Sequence, residues 1–147
     1  MQGSLLRTLR AQRAQIRTRW ESFLRIEPVN TALGHPDTLV FMFDQTLDEV
    51  FAALAAPARP PAPVSRPSGG GHSPLFAYFL AGEQALLESL VMIQADLPGL
   101  DPVERDSAAA ELRNTVRTIA AREIDLLNGV CRPSPTPAGR RPGSPTA

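Results

Sequence analysis

The sequence predicts an all-α fold, a four-helix bundle, with a globin-like helical fold as the alternative. Apolar residues recur at helical spacing in four segments, and residues typical of helix starts and stops bound these segments. A hydrophobic fraction of 43% is enough to build a core between them. The predicted helices cover residues 4–27, 36–55, 74–97 and 102–128.

The chain of 147 residues suggests one helical domain, residues 1–131, with an internal linker at 57–72. The linker begins rich in proline and ends in three glycines, a composition typical of an extended and then flexible tether. Residues 132–147 have no apolar pattern and are predicted to be a disordered tail.

The first two predicted helices carry opposite charge. The first has six Arg against two Glu, and the second has acidic residues with no basic ones. We therefore expect the two to pack side by side, with ion pairs that select the neighbour more than they stabilise the fold. The facing rows are Arg10, Arg13 and Arg17 on the first helix and Asp37, Asp44 and Asp48 on the second.

The third predicted helix is the most apolar stretch of the chain, and Glu83 falls in the middle of its apolar face. Its length would suit a membrane span, but Glu83, Glu88 and Asp96 argue against insertion, so a buried bundle helix is predicted. The predicted buried face comprises Phe76, Phe79, Leu86, Leu90, Ile93 and Leu97, widened by Leu80 and Leu87.

The fourth predicted helix begins at a capping-box pattern, in which Asp101 is the cap and Glu104 the third helical residue. The short loop before it predicts an antiparallel hairpin with the third helix, with Glu83 level with about Val116. Gly129 suits a left-handed helix end. Glu123 interrupts the predicted buried stripe, which is Ala108, Leu112, Val116, Ile119, Leu126 and Leu127.

Composition excludes several functions. The formal net charge is zero, which removes the electrostatic case for nucleic acid, and all fifteen basic side chains are Arg, which excludes Schiff-base chemistry. A single cysteine, Cys131, and the lack of an apolar leader predict a cytoplasmic protein. His35 and His72 lie in predicted loops, and no metal or catalytic motif is found, so no enzyme and no cofactor are predicted.

Six residues are candidates for function. Glu83 and Glu123 are acids on predicted inward faces, and an acid without a partner in a pocket has a raised pKa that suits ligand or proton binding. The other interpretation of each acid is a carboxylate that pairs with an Arg or reaches the rim of the bundle, and Arg13 and neighbouring Gln12 are the expected partners of Glu83. Phe41 and Met42 lie outside the stripe of their helix and are predicted to form an interface.

The first 55 residues resemble the N-terminal domain of the RsbT co-antagonist family of bacterial stress-signalling proteins. The resemblance rests on Ile16-x3-Trp20-x2-Phe23-Leu24, the break at Glu27-Pro28 and the later helix LVFMFDQTLDEVFAAL. It implies a globin-like sensory or scaffolding domain without obligatory haem that acts through dimers and partner proteins. This chain departs from the family pattern in its long Pro/Gly linker, and no output domain is expected to follow.

The sequence thus predicts a regulatory or sensory module that binds proteins, itself included, and neither nucleic acid nor membrane. One alternative is a purely structural, self-assembling bundle. A further alternative is a carrier of haem or a small ligand that uses His72 or a pocket near Glu83.

Overall fold

The computed structural model describes residues 1–26, 36–56 and 74–130, and these ranges form five α-helices without any strand. The all-α prediction is therefore confirmed. The predicted linker and tail lie outside the described residues. The helices are α1 (Gly3–Ala11), α2 (Arg13–Ile26), α3 (Pro36–Ala55), α4 (Pro74–Ala95) and α5 (Pro102–Val130).

The first predicted helix, 4–27, is divided at Gln12 into α1 and α2. The N–H of Gln12 is shared between the carbonyl oxygens of Thr8 and Leu9, at 3.2 and 3.1 Å, which tightens the last turn of α1. Helical bonding resumes at once, because the Ile16 N–H donates to the Gln12 carbonyl at 3.0 Å. No Gly or Pro stands at the break.

Helices α2 and α3 pack with the predicted Arg row against the Asp row. Arg13 donates to Asp44 at 3.1 Å and also pairs with Asp48, while Arg17 donates to Asp44 at 3.0 Å. Arg10 instead donates to the carbonyl oxygen of Phe51, at 3.0 Å. The side chain of Asp37 lies outside the described residues.

Helices α4 and α5 form the predicted antiparallel hairpin. Gly99, with φ of 95°, makes the turn, and the Asp101 carboxylate accepts a 3.3 Å bond from the Val103 N–H, as its cap position predicts. Glu104 does not close the capping box, since it accepts a 2.7 Å bond from Nε2 of Gln2, the residue just before α1. The side-chain amide of Gln94 on α4 donates to the Arg105 carbonyl oxygen on α5, so these two positions lie side by side near the turn of the hairpin.

The centre of the core is an aromatic cluster of Trp20, Phe43 and Tyr78, contributed by α2, α3 and α4. Trp20 lies 4.7 Å from Tyr78 and 4.9 Å from Phe43, measured between ring centroids. Its indole N–H donates to the Tyr78 carbonyl oxygen at 2.9 Å, and the Tyr78 hydroxyl lies 3.0 Å from Thr46 Oγ1. Burial of this phenol raises the pKa of Tyr78.

The buried face of α4 differs from the predicted one. Phe79, Leu86, Leu90 and Ile93 are buried as predicted. Leu75, Tyr78 and Ala85 are buried as well, whereas Phe76, Leu80 and Leu97, which lies beyond the end of α4, are 51%, 55% and 41% exposed. The face is rotated because Trp20 draws the Tyr78–Gly82 side of α4 into the core.

The end of α5 also departs from expectation. Leu126 and Leu127 are exposed and Ile124 is buried in their place. Gly129 is not left-handed, because Gly99 is the single glycine with positive φ in the described ranges, and α5 continues through it to Val130.

Candidate functional site

The surface of α4 carries an apolar row that no other described helix covers. Phe76, Leu80 and Val91 are 51%, 55% and 60% exposed, and Leu87 is half-buried. At 3.6 residues per turn these four side chains fall within about 60° of the helix circumference. We call Phe76, Leu80, Leu87 and Val91 the α4 stripe.

An open groove of about 510 Å³ follows the middle of this stripe. Its floor is apolar, since Leu80, Leu87 and Val91 all line it, and Met92, 68% exposed, extends it at one end. The polar side chains that line the groove are Glu83, Gln84 and Glu88. All of its lining residues belong to α4, so it is an open depression on the surface of one helix, with apolar and polar side chains together, and such a surface suits the side of another helix.

Glu83 lies at the rim of the groove beside α5 and is fully paired. Arg117 donates to both of its carboxylate oxygens, from Nε at 3.0 Å and from Nη2 at 3.1 Å, and Arg113 Nε lies 3.5 Å away. The Glu83 side chain is only 11% exposed, while Arg117 and Arg113 are 57% and 47% exposed. This bidentate bond also holds the pKa of the Arg117 guanidinium above its usual value.

On the other side of the groove Glu88 pairs with Arg19 of α2 at 2.8 Å. The hydrogen bond from Arg19 holds the pKa of the Glu88 carboxyl below its usual range. Arg19 in turn lies over the ring of Phe23, 4.5 Å from its centroid. The apolar floor is thus edged by one ion pair towards α5 and another towards α2.

The four predicted pocket residues do not come together. Only Glu83 lines the groove, and its partners are Arg117 and Arg113, so the expected pairing with Arg13 is wrong. The cause is the hairpin register, which places Arg117 level with Glu83, whereas the Asp row of α3 engages Arg13. Glu83 is therefore not the unpaired acid that a proton-binding role requires.

Gln12 lies at the junction of α1 and α2, away from the residues that line the groove. Glu123 bonds the adjacent Arg122 at 3.0 Å, and Arg122 also pairs with Glu49 of α3. Because the Glu123 side chain is 41% exposed, it is a surface carboxylate and not an acid inside the bundle.

The predicted interface at Phe41 and Met42 finds no support at Met42, which is partly buried and packs against the core. The side chain of Phe41 lies outside the described residues. His35, His72 and Cys131 do as well. Within residues 1–26, 36–56 and 74–130 no group of three His, Cys, Asp or Glu side chains could hold a metal ion.

Helix α4 is long and apolar enough to cross a membrane, judged by length and composition alone. The segment Leu75–Ala95 has a mean hydropathy of 1.3, and half of it is buried inside the protein. The buried half faces α1, α2 and α5, and the remaining apolar surface is the α4 stripe and Met92.

Comparison with protein-family models, with curated proteins and with solved structures gives no match to this chain.

Sequence reasoning assigned Phe76, Leu80 and Leu87 to the core and so missed the stripe. The signal that could have found it is that α4 has apolar residues around most of its circumference, including Tyr78 and Ala85 on the flank of the predicted face. A helix on the surface of a small bundle cannot bury all of them, so a second apolar face was implied.

Proposed function

We propose that this chain is a non-enzymatic helical module that works by binding protein, and that the α4 stripe is its docking surface. The stripe itself carries the proposal. Four large apolar side chains in one row, each half-exposed or partly so, form a contiguous apolar patch of the kind that marks interaction sites.

The form of the patch supports a helix as the bound element. Stripe residues recur at intervals of four and seven, the spacing at which an amphipathic helix presents its own anchors. The rim contributes paired charges and one amide, which would fix orientation while the apolar floor supplies most of the affinity.

The resemblance to the RsbT co-antagonist family supports a further part of the proposal. It suggests that the module has a regulatory or sensory role in cytoplasmic bacterial signalling. The resemblance is carried by residues of α2 and α3, whereas the proposed docking surface is on α4. The two arguments are therefore independent. A structural, self-assembling bundle is the alternative role for the same surface.

A nuclear magnetic resonance titration tests the proposal. The full chain, labelled with ¹⁵N, is titrated with a synthetic amphipathic helical peptide that carries Leu at positions i, i+3, i+4 and i+7. We expect amide shifts concentrated at the α4 stripe. Shifts scattered over the surface, or none at millimolar peptide, would overturn the proposal.

Two substitutions of the same residue type provide the control. Val91→Glu places a charge in the stripe and should weaken peptide binding at least tenfold, since it buries an unpaired charge in the complex. Val103→Glu makes the same change on α5, where Val103 is 72% exposed and outside the groove, and should leave binding unaltered.

A further inference from the structure

We propose that the α4 stripe docks a second copy of this chain, with the two α4 helices antiparallel and the two-fold axis passing between Glu83 and Gln84. This inference rests on the proposed function, because it names the partner of the same surface. Its basis is the spacing of the stripe and the charges beside it.

The stripe is symmetric along its own helix. Its residues stand at positions 76, 80, 87 and 91, so the intervals read four, seven and four in either direction. The midpoint lies between Glu83 and Gln84. A two-fold axis at that midpoint sets Phe76 against Val91 of the partner subunit and Leu80 against the partner's Leu87, and the reverse pairs follow by symmetry.

A two-fold interface requires one patch to be complementary to itself. Here each large exposed side chain meets another apolar side chain in the antiparallel register. An antiparallel register shifted by one turn would set Leu87 against Gln84 or Leu80 against Glu83, and a parallel pair in register would set Glu83 against the partner's Glu83. The antiparallel register centred on Glu83 and Gln84 keeps the apolar residues together and also sets each Glu83 carboxylate against an amide of the partner.

The rim fits the same arrangement. Gln84 would lie one residue, about 1.5 Å along the helix axis, from the partner's Gln84, and an amide can both donate to and accept from its own copy. On the α5 side, Glu83 of one subunit comes level with the partner's Arg117. Arg117 and Arg113 are about half exposed, and Arg117 uses two of its N–H groups on Glu83, so donors remain for the second carboxylate.

The size of the stripe sets the strength of the dimer. Three side chains that are about half exposed, together with the half-buried Leu87, supply at most about 400 Å² per copy, below the roughly 800 Å² per partner of a stable complex. We therefore expect a reversible dimer with a dissociation constant in the micromolar range, which a competing helix can displace.

Sedimentation of the full chain over about 2 to 200 µM tests the association. We expect the average mass to rise from one chain towards two, with Val91→Glu remaining a monomer and Val103→Glu behaving as the wild type. A monomer throughout, or an equal rise in Val91→Glu, overturns the inference. If the amphipathic peptide still binds the stripe of a monomer, the proposed function survives and only the identity of the partner is wrong.

Cross-linking tests the register. In a Cys131→Ser background, Gln84→Cys should give a covalent dimer with a short bismaleimide, because the two thiols lie beside the axis. Met92→Cys is the control on the same helix, since Met92 is 68% exposed but would stand about 25 Å along the axis from its copy. Equal cross-linking of both variants, or preferential cross-linking of Met92→Cys, contradicts the register.

Sedimentation with vesicles of phosphatidylcholine and phosphatidylglycerol tests whether the stripe binds a lipid surface instead of a second copy. The wild type should stay in the supernatant when the vesicles are sedimented. Co-sedimentation that is lost in Val91→Glu and kept in Val103→Glu would assign the stripe to a lipid surface and overturn the dimer.

Discussion

The indole ring of Trp20 occupies the space that a side chain at Gly82 would need. A Cβ placed on Gly82 would lie 2.4 Å from Cζ2 of Trp20, well inside van der Waals contact. The same indole donates to the Tyr78 carbonyl oxygen one turn earlier, so α2 meets α4 closely only because position 82 has no side chain. This contact decides which face of α4 is buried, and so which face carries the stripe.

Gly82→Ala should therefore destabilise the fold although Ala is the better helix former. Helix propensity favours Ala by about 1 kcal/mol, but overpacking costs about 1–3 kcal/mol, and an approach of 2.4 Å to a rigid ring places the cost in the upper part of that range. We expect the free energy of unfolding in urea to fall by about 1–2 kcal/mol. Trp20 is the single tryptophan, so its emission should shift as the ring moves.

Gly129→Ala is the matched control, because Gly129 lies in α5 with nothing within 4 Å of an added Cβ. Its free energy of unfolding should rise by up to about 1 kcal/mol, through helix propensity alone. If both substitutions stabilise the protein equally, the close approach of Trp20 to Gly82 is refuted.

Substitution of Glu83 and substitution of Arg117 should change the free energy of unfolding by different amounts. Glu83→Leu leaves two half-exposed guanidinium groups that water can solvate and adds an apolar side chain to the groove, so its free energy of unfolding should stay within about 1 kcal/mol of the wild type. Arg117→Met strips the bidentate donor from a carboxylate that is 11% exposed, which should cost about 1–2 kcal/mol more.

Urea unfolding at low protein concentration, where no dimer is present, measures this difference. Arg113→Met is the internal control, because Arg113 lies 3.5 Å from Glu83 and does not make the bidentate bond. Its effect should fall between the other two. If Glu83→Leu lowers the free energy of unfolding more than Arg117→Met does, the Glu83 carboxylate must make stabilising contacts beyond its pair with Arg117.

Much of the fold follows from the sequence because its determinants are local. Asp101 and the short loop after Gly99 fix the hairpin, and the predicted level of Glu83 near Val116 is correct to one residue, since Arg117 is its partner. The opposite charges of the first two predicted helices likewise predicted the pairing of Arg13 with Asp44 and Asp48.

The rotation of α4 could not be predicted from periodicity. Phe76 and Tyr78 are both large, and only the approach of Trp20 to Gly82, a contact between residues 62 positions apart, decides which of them is buried. The docking stripe was therefore missed, although its residues were named as apolar.

The ion pairs Arg13–Asp48 and Arg19–Glu88 make a small contribution to stability that depends on pH. Hydrogen bonds from the two Arg side chains hold the pKa values of Asp48 and Glu88 below their ordinary values of 3.8 and 4.5. A carboxyl whose pKa is lowered by folding stabilises the protein above its unfolded pKa, and this is lost as the pH falls through the folded pKa. The contribution should be complete by about pH 6 and absent well below pH 3.

The double substitution Asp48→Asn with Glu88→Gln tests this, because neither amide titrates. We expect the wild type to melt at a higher temperature than the variant at pH 7, and the gap to close as the pH is lowered. All other acids titrate in both proteins, so the gap isolates these two carboxyls. Half-molar NaCl should narrow it at pH 7, since both pairs are largely exposed to solvent. A gap that stays constant from pH 7 to pH 2.5 would show that the two carboxyls act through packing and not through charge.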